Sequence, residues 1–268
     1  MQRLIGIFWV LLGFAQLAHA ELVELQVRPG IVASAAFAAG DRQAPAVLIL
    51  HGFLQTHEFP TVRRLHHSLA ESGFSVLSPT LSLGIHKRAQ SLECEALHLH
   101  TLHDDVQELK LWVDWLRDKT GREVVLIGHS AGGLVMTRYL ADYPDAPVAQ
   151  GIMISLSYLE GQEPQSADSD ADIAEYSLVY CERYPTTAQA YHSYVDWGTS
   201  EMLDAVRGFR NPVSIILGSG DRRISQAWRD TIAASDIDAI IIQGADHFFD
   251  NQHEFDLLDA IEQLLPAD

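Results

Sequence analysis

Cysteine is almost missing from this chain of 268 residues: there are two, Cys94 and Cys181. That excludes a scaffold held together by many disulfides. Lysine is also scarce, at Lys87, Lys110 and Lys119, and 18 basic residues face 36 acidic ones, for a formal net charge of -18. Binding to phosphate backbones needs clustered Lys and Arg, so neither a nucleic acid nor an anionic membrane is an expected partner. Like charge instead keeps copies of a soluble protein apart. After the first twenty residues no apolar run reaches the roughly 20 residues of a membrane span, and there is no internal repeat or low-complexity tract. With 18 Gly and 10 Pro, the composition is neither collagen-like nor disordered. A chain of this length can bury a full core without staples.

The N-terminus reads as an address. Arg3 precedes the apolar run Leu4 to Phe14, and Ala18-His19-Ala20 fits a small-x-small cleavage site, the layout of a secretory signal peptide. Residues 1–20 are therefore set aside and the mature domain is taken as 21–268, with a periplasmic or secreted destination and no span once the signal is cleaved. In an oxidising compartment an even cysteine count points to one bridge, Cys94 to Cys181.

Short, wholly apolar runs alternate with helical patterns. Leu22–Val27 and Ile31–Phe37 read as two edge strands around Pro29-Gly30. Ala46–Leu50, Phe74–Leu77, Val124–Ile127, Gly151–Ile154, Val213–Leu217 and Ala239–Ile242 read as strands buried on both faces, as in a parallel sheet under helices. Helices are predicted over Thr61–Ser72, Asp104–Lys119, Leu134–Asp142, Ile224–Ala234 and Phe255–Leu265. The Asp104–Lys119 pattern is the clearest, with Val106, Leu109, Val113 and Leu116 at helical spacing and Gly121 just past its end. The alternation predicts an α/β doubly wound sheet. Residues 157–210 interrupt it and are too long for a simple crossover; they are read as an inserted helical cap that holds most of the Tyr together with Trp197, with an acidic, turn-rich stretch from Pro164 to Asp172.

Gly128-His129-Ser130-Ala131-Gly132 follows a predicted strand directly and opens a helix. A G-x-S-x-G turn at that place puts the serine hydroxyl at a sharp, exposed bend, with glycines admitting close backbone approach and a helix N-terminus favouring a developing anion. A serine needs a base. His247 follows the last predicted strand, and Asp221 follows the penultimate one, so both fall at the sheet edge that Ser130 occupies. Glu160 is a rival acid, while Asp246, next to the base, should point away from it. The oxyanion donors are expected to be the N–H groups of Ala131 and of Phe53 in His51-Gly52-Phe53-Leu54, with Leu54 in reserve. His51, Leu54, His129 and Phe248 are expected to line the substrate pocket, His51 and His129 through packing and hydrogen bonds.

These residues resemble the α/β-hydrolase superfamily: His51-Gly52-Phe53, the Gly128–Gly132 elbow, Asp221 and His247 occur in its order over nearly all of the mature chain. The chain is also similar, more loosely, to exported bacterial serine hydrolases of unassigned substrate. The resemblance implies an eight-stranded, mostly parallel sheet, a Ser-Asp-His triad and no cofactor. It fixes the machinery and leaves the substrate open. A small-molecule carboxylic ester is the first expectation, since an alkoxide leaves more easily than an amine. An amide or peptide would use the same parts, and a non-catalytic envelope binding protein on this fold is the alternative from another class. The run His98 to Asp105 holds closely spaced His and Asp, which could bind a metal. It reads better as a polar helix start, with Asp104 and Asp105 in the first turn complementing the dipole, so no metal is expected. Oligomeric state is left open.

Overall fold

A computed structural model describes residues 20–163 and 173–266. The signal segment (apart from Ala20) and the acidic Pro164–Asp172 stretch lie outside the described residues. The eight-stranded sheet is built from β1 (Glu21–Arg28), β2 (Ile31–Ala38), β3 (Ala46–Leu50), β4 (Val76–Thr80), β5 (Val124–His129), β6 (Val148–Ile154), β10 (Val213–Gly218) and β11 (Asp238–Ile242). Its spatial order is β1-β2-β4-β3-β5-β6-β10-β11. Neighbours from β4 to β11 pair in parallel, and β2 pairs antiparallel with both β1 and β4. The expectation of a doubly wound, mostly parallel α/β sheet therefore holds.

Two details differ. Of the two N-terminal strands only β1 is an edge strand, because β2 is covered on its other side by β4. The strand expected at Phe74–Leu77 starts at Val76 and continues through Pro79 to Thr80. Proline fits there because β3 pairs with β4 only at Val76 and Leu77, so the N–H that Pro79 lacks is not needed on that side.

The absence of polar alternation in the central strands follows from burial on both faces. Along β3, Leu48 and Leu50 join one core with Leu109, Trp112 and Val113 of α2 (Leu102–Thr120) and Leu134 and Met136 of α3 (Ala131–Asp142). Val47 and Ile49 join the other with Val62, Leu65 and Leu69 of α1 (Pro60–Glu71) and Leu257 and Ile261 of α7 (His253–Leu264). Helix α2 begins at a capping box, in which Thr101 and Asp104 exchange side-chain and backbone hydrogen bonds, and ends at Gly121 in the left-handed region. Helix α6 (Gln226–Ala233) lies between β10 and β11 in sequence.

The insertion is not purely helical. It contains β7 (Gly161–Gln162), β8 (Ile173–Leu178) and β9 (Cys181–Thr187), which form a separate three-stranded antiparallel sheet. Helices α4 (Ala188–Val195) and α5 (Thr199–Gly208) follow. The β8–β9 hairpin forms because Tyr176 and Leu178 on one strand, and Tyr184 and Thr186 on the other, turn their alternate side chains inward. That is a period of two, not the period of a helix. The Cys94–Cys181 bridge is present, with an S–S distance of 1.99 Å and a Cα–Cα distance of 5.2 Å. It ties the start of β9 to the segment before α2. No helix among the described residues is long and apolar enough to cross a membrane.

Candidate active site

Ser130 stands between β5 and α3 with φ 55° and ψ -123°, a backbone conformation that a non-glycine residue holds only when its surroundings enforce it. The surroundings here are tight. A Cβ on Gly132 would meet the carbonyl oxygens of His51 at 2.5 Å and Leu50 at 2.8 Å, and one on Gly128 would meet Gly132 O at 2.8 Å. Each glycine of the pentapeptide is thus required by backbone packed against it. Ser130 N–H donates to Ile154 O (2.8 Å) and Gly133 N–H donates to Ser130 O (2.8 Å), which pins the bend at both sides.

Ser130, Asp221 and His247 come together. His247 Nε2 lies 2.9 Å from Ser130 Oγ, and His247 Nδ1 lies 2.8 Å from Asp221 Oδ2. Asp221 is buried, and its other oxygen accepts from Arg223 N–H (2.8 Å) and Ile224 N–H (3.2 Å). Burial alone would raise its pKa, but the hydrogen bond and charge of His247 and the two backbone donors outweigh it. The carboxyl is held below its ordinary value, and it stays an acceptor for the imidazole. Glu160 is instead exposed and accepts from Tyr158 Oη (2.5 Å). Asp246 makes no bond to the His247 ring and accepts instead from the Phe248 and Asp250 N–H groups.

The loop carrying His247 is fastened from behind. His129 Nε2 donates to His247 O (3.0 Å) and Ser155 Oγ donates to the same carbonyl (3.2 Å). Burial, joined by the charge of His247, pushes the His129 pKa down to about 3, so this ring is neutral and structural. It is fully buried and packs on Phe59 and Phe248, and its hydrogen bond holds the His247 loop from behind. Phe248 is half-buried beside His247, with Arg223 over its ring at 5.0 Å.

The loop after β3 is equally constrained. Gln55 N–H donates to Gly52 O (3.2 Å), closing a turn over Gly52–Gln55, and Leu54 takes a φ of 56°. His51 Nδ1 donates to Gly52 O (2.8 Å), so Nε2 accepts from Leu81 N–H (3.1 Å) and Arg88 Nη2 (3.2 Å). Burial, then the Arg88 charge, pushes the His51 pKa down to about 3. Arg88, for which the sequence carried no signal, is itself buried and also donates to the carbonyls of Leu81, Leu54, Gln90 and Gln55. Burial lowers its pKa to about 10, which leaves it charged at neutral pH.

A small cavity of about 30 Å³ touches Phe53, Leu54, Ala131, Val135, His100 and Asp105. Of the four residues expected at a substrate pocket, His51 and Leu54 line this cavity and His129 and Phe248 do not. From the cap, Tyr180 in the β8–β9 turn packs edge-on against Phe53 at 5.7 Å and lies 5.9 Å from Arg223. The histidine run diverges: His98 stacks on Tyr184 at 4.0 Å, His100 is buried at the cavity and His103 faces solvent. Among the described residues no cluster of three or more His, Cys, Asp or Glu could hold a metal. Asp104 serves in the cap of α2 as expected, whereas Asp105 is buried and accepts from Tyr194 Oη (2.5 Å).

The fold has counterparts among solved structures. No curated protein sequence matches the chain. Among solved structures, Est1E from Butyrivibrio proteoclasticus is 18% identical, with a TM-score of 0.67 over 91% of this chain and 96% of that one. An alpha-beta serine hydrolase homologue from Coxiella burnetii is 16% identical, with a TM-score of 0.60 over 92% and 97%. The thioesterase domain from the curacin biosynthetic pathway is 15% identical, with a TM-score of 0.60 over 92% and 99%. At these identities the likeness is one of fold. The family model described as "Alpha/beta hydrolase family" matches residues 47–259, from β3 into α7, and that span takes in Phe53, Ser130, Asp221 and His247. The chain belongs to the alpha/beta hydrolase family.

Proposed function

We propose that the chain is an exported serine hydrolase of small carboxylic esters. The observation that carries this reading is the relay of two short hydrogen bonds, 2.9 Å from Ser130 Oγ to His247 Nε2 and 2.8 Å from His247 Nδ1 to Asp221 Oδ2. With Asp221 accepting at Nδ1–H, Nε2 is free of a proton and takes the one on Ser130 as the hydroxyl attacks the ester carbonyl. The tetrahedral oxyanion is held by two N–H groups whose local structure leaves them available. Ala131 opens α3, where an N–H has no acceptor within the helix. Phe53 is the second residue of the Gly52–Gln55 turn, whose closing bond uses only the first carbonyl and the fourth N–H. His247 then protonates the leaving alkoxide, an acyl-enzyme forms, and water repeats the cycle. The thioesterase domain and the serine hydrolase homologue among the structural neighbours support the hydrolase class. Export rests on the signal-like N-terminus and agrees with the Cys94–Cys181 bridge.

A fluorophosphonate probe is expected to form a stable adduct that peptide mapping places on Ser130. Ser130→Ala is expected to lower ester turnover by at least about 10³-fold without lowering the melting temperature. A folded wild-type protein that takes no adduct, or a Ser130→Ala variant that retains turnover, overturns the assignment.

A further inference from the structure

Acidic residues outnumber basic ones in this chain, 36 to 18, and arginines such as Arg28, Arg64, Arg138 and Arg207 meet carboxylates. Two at the catalytic edge do not. Arg222 and Arg223 follow Asp221 directly, both are exposed, and neither side chain has an ion pair or a hydrogen bond among the described residues. What holds Arg223 is aromatic. Its guanidinium lies 5.0 Å from the Phe248 ring centroid and 5.9 Å from that of Tyr180. Phe248 stands edge-on to His247 at 5.1 Å, and Tyr180 stands edge-on to Phe53 at 5.7 Å. The guanidinium therefore bridges the base side and the oxyanion side of the site. Ring contacts hold it in place without offering a lone pair to its five N–H donors. Both arginines also line a cavity of about 280 Å³ between the loop after β6 and the loop after β10. Glu160 is the one carboxylate among the described residues lining that cavity, and it accepts from Tyr158 Oη.

We propose that Arg223, with Arg222 beside it, selects esters whose alcohol part carries a carboxylate. The proposal rests on the hydrolase reading above, in which His247 hands its proton to the leaving oxygen. Placement argues for the alcohol part: Phe248, the ring beside His247, is the nearer of the two that hold the guanidinium. Chemistry argues for a carboxylate, because the guanidinium is charged at every working pH and its planar fork matches two carboxylate oxygens at once. Size admits a ring. A cavity of roughly 150 Å³ takes a benzene, and the one that Arg222 and Arg223 line is about 280 Å³. The chain as a whole works the other way, since a net charge of -18 repels anions at long range. At physiological salt that field decays over about 8 Å, whereas a carboxylate on Arg223 is in direct contact. Preference for an anion by so acidic a chain then depends on these two side chains, and it has a salt dependence opposite to that of simple repulsion.

The test compares 4-carboxyphenyl acetate with 4-carbamoylphenyl acetate, which are close in size and differ by one charge. The carbamoyl group withdraws electrons more strongly, so leaving-group chemistry alone favours the neutral ester. The ratio of kcat/KM values, anionic over neutral, is expected to fall about fivefold or more in Arg223→Gln, with Arg223→Lys keeping part of it. The loss should appear in KM for the anionic ester. Salt gives a reading on the wild type alone, which decides the matter even if neither variant folds. Raising NaCl from about 0.05 M to about 0.5 M should lower the wild-type ratio by screening the contact with Arg223, whereas on a chain that only repels anions the ratio rises. A ratio that stays level or rises with salt, or one that Arg223→Gln leaves unmoved, overturns the proposal. Fluorophosphonate labelling of the same preparation separates the two claims. Labelled Ser130 with a ratio indifferent to Arg223→Gln removes the anion site alone. If Ser130 takes no label and neither ester turns over, the hydrolase reading fails, and NMR titration with 4-hydroxybenzoate and 4-hydroxybenzamide decides the site. Tighter binding of the carboxylate that Arg223→Gln abolishes sustains it, and equal binding overturns it.

Discussion

Replacing Asp105 with Asn should make the protein more stable, and by an amount that grows with pH. Burial is the main cause of the raised Asp105 pKa, with Glu108 and Asp104 adding to it against the Tyr194 hydrogen bond and the Arg88 charge, and the result is about 8. In the unfolded chain the same carboxyl titrates at its ordinary value of 3.8. Between those two values the folded chain holds a proton that the unfolded chain has released. Stability is therefore greatest below the unfolded pKa and falls as pH rises, by about 1.4 kcal/mol per unit, until the folded pKa is passed. From pH 5 to pH 7 the wild type should lose roughly 3 kcal/mol relative to Asp105→Asn, whose amide oxygen still accepts from Tyr194 and does not titrate. Urea unfolding of both chains at several pH values checks this, since groups common to the two largely cancel in the difference. A difference that does not vary with pH would refute a raised pKa at Asp105. A variant that loses ground as pH rises through the ordinary carboxylate range would mean that the carboxyl is instead ionised and paired with Arg88.

Gly132→Ala should cut kcat by about 100-fold, because its Cβ would sit 2.5 Å from His51 O and displace the loop that carries Phe53; the rate of fluorophosphonate labelling should fall in parallel. Gly208→Ala, at the end of α5 with no atom within 4 Å of the added Cβ, should change neither, and equal losses in the two variants would show that elbow packing is not the cause. Reducing the Cys94–Cys181 bridge, which spans 87 residues of sequence, should cost about 4.5 kcal/mol on chain entropy. By calorimetry that is a fall in melting temperature of roughly 10 °C or more, and a fall under about 3 °C would mean that the reduced unfolded chain is already constrained.

What could be read in the sequence and what could not divides along contact distance. The central strands were legible because burial on both faces removes every polar residue from runs such as Ala46–Leu50 and Val124–Ile127. The elbow and its partners were legible because a parallel sheet sends Ser130, Asp221 and His247 to the same edge whatever the intervening chain does. The hairpin in the insertion was not. Tyr176, Tyr180 and Tyr184 are spaced four apart, as on a helix face, yet Tyr176 and Tyr184 pair across two strands with Tyr180 in the turn between them. Asp105 was hidden for a similar reason. A carboxylate in a helix's first turn normally faces water, and what buries this one is Tyr194, a residue 89 positions later.

The cap and the catalytic edge are mechanically one unit, and the bridge is where they join. Cys94 lies next to the segment that holds the loop after β3: Leu92 N–H donates to Leu54 O at 3.0 Å, and Arg88 donates to Leu54 and Gln55 carbonyls. Cys181 begins β9 immediately after Tyr180, whose ring rests on Phe53. The bridge therefore fixes Phe53 from two directions, through the backbone of its own loop and through the ring packed upon it. Arg88 makes this arrangement costly to disturb, because a buried cation with five acceptors in place leaves several unpaired when any part of that loop shifts. A family fold supplies the sheet edge on which a triad can assemble. In this chain the insertion, the disulfide and one buried arginine set how rigidly the Phe53 side of the site is held, and they do so with residues that carry no motif.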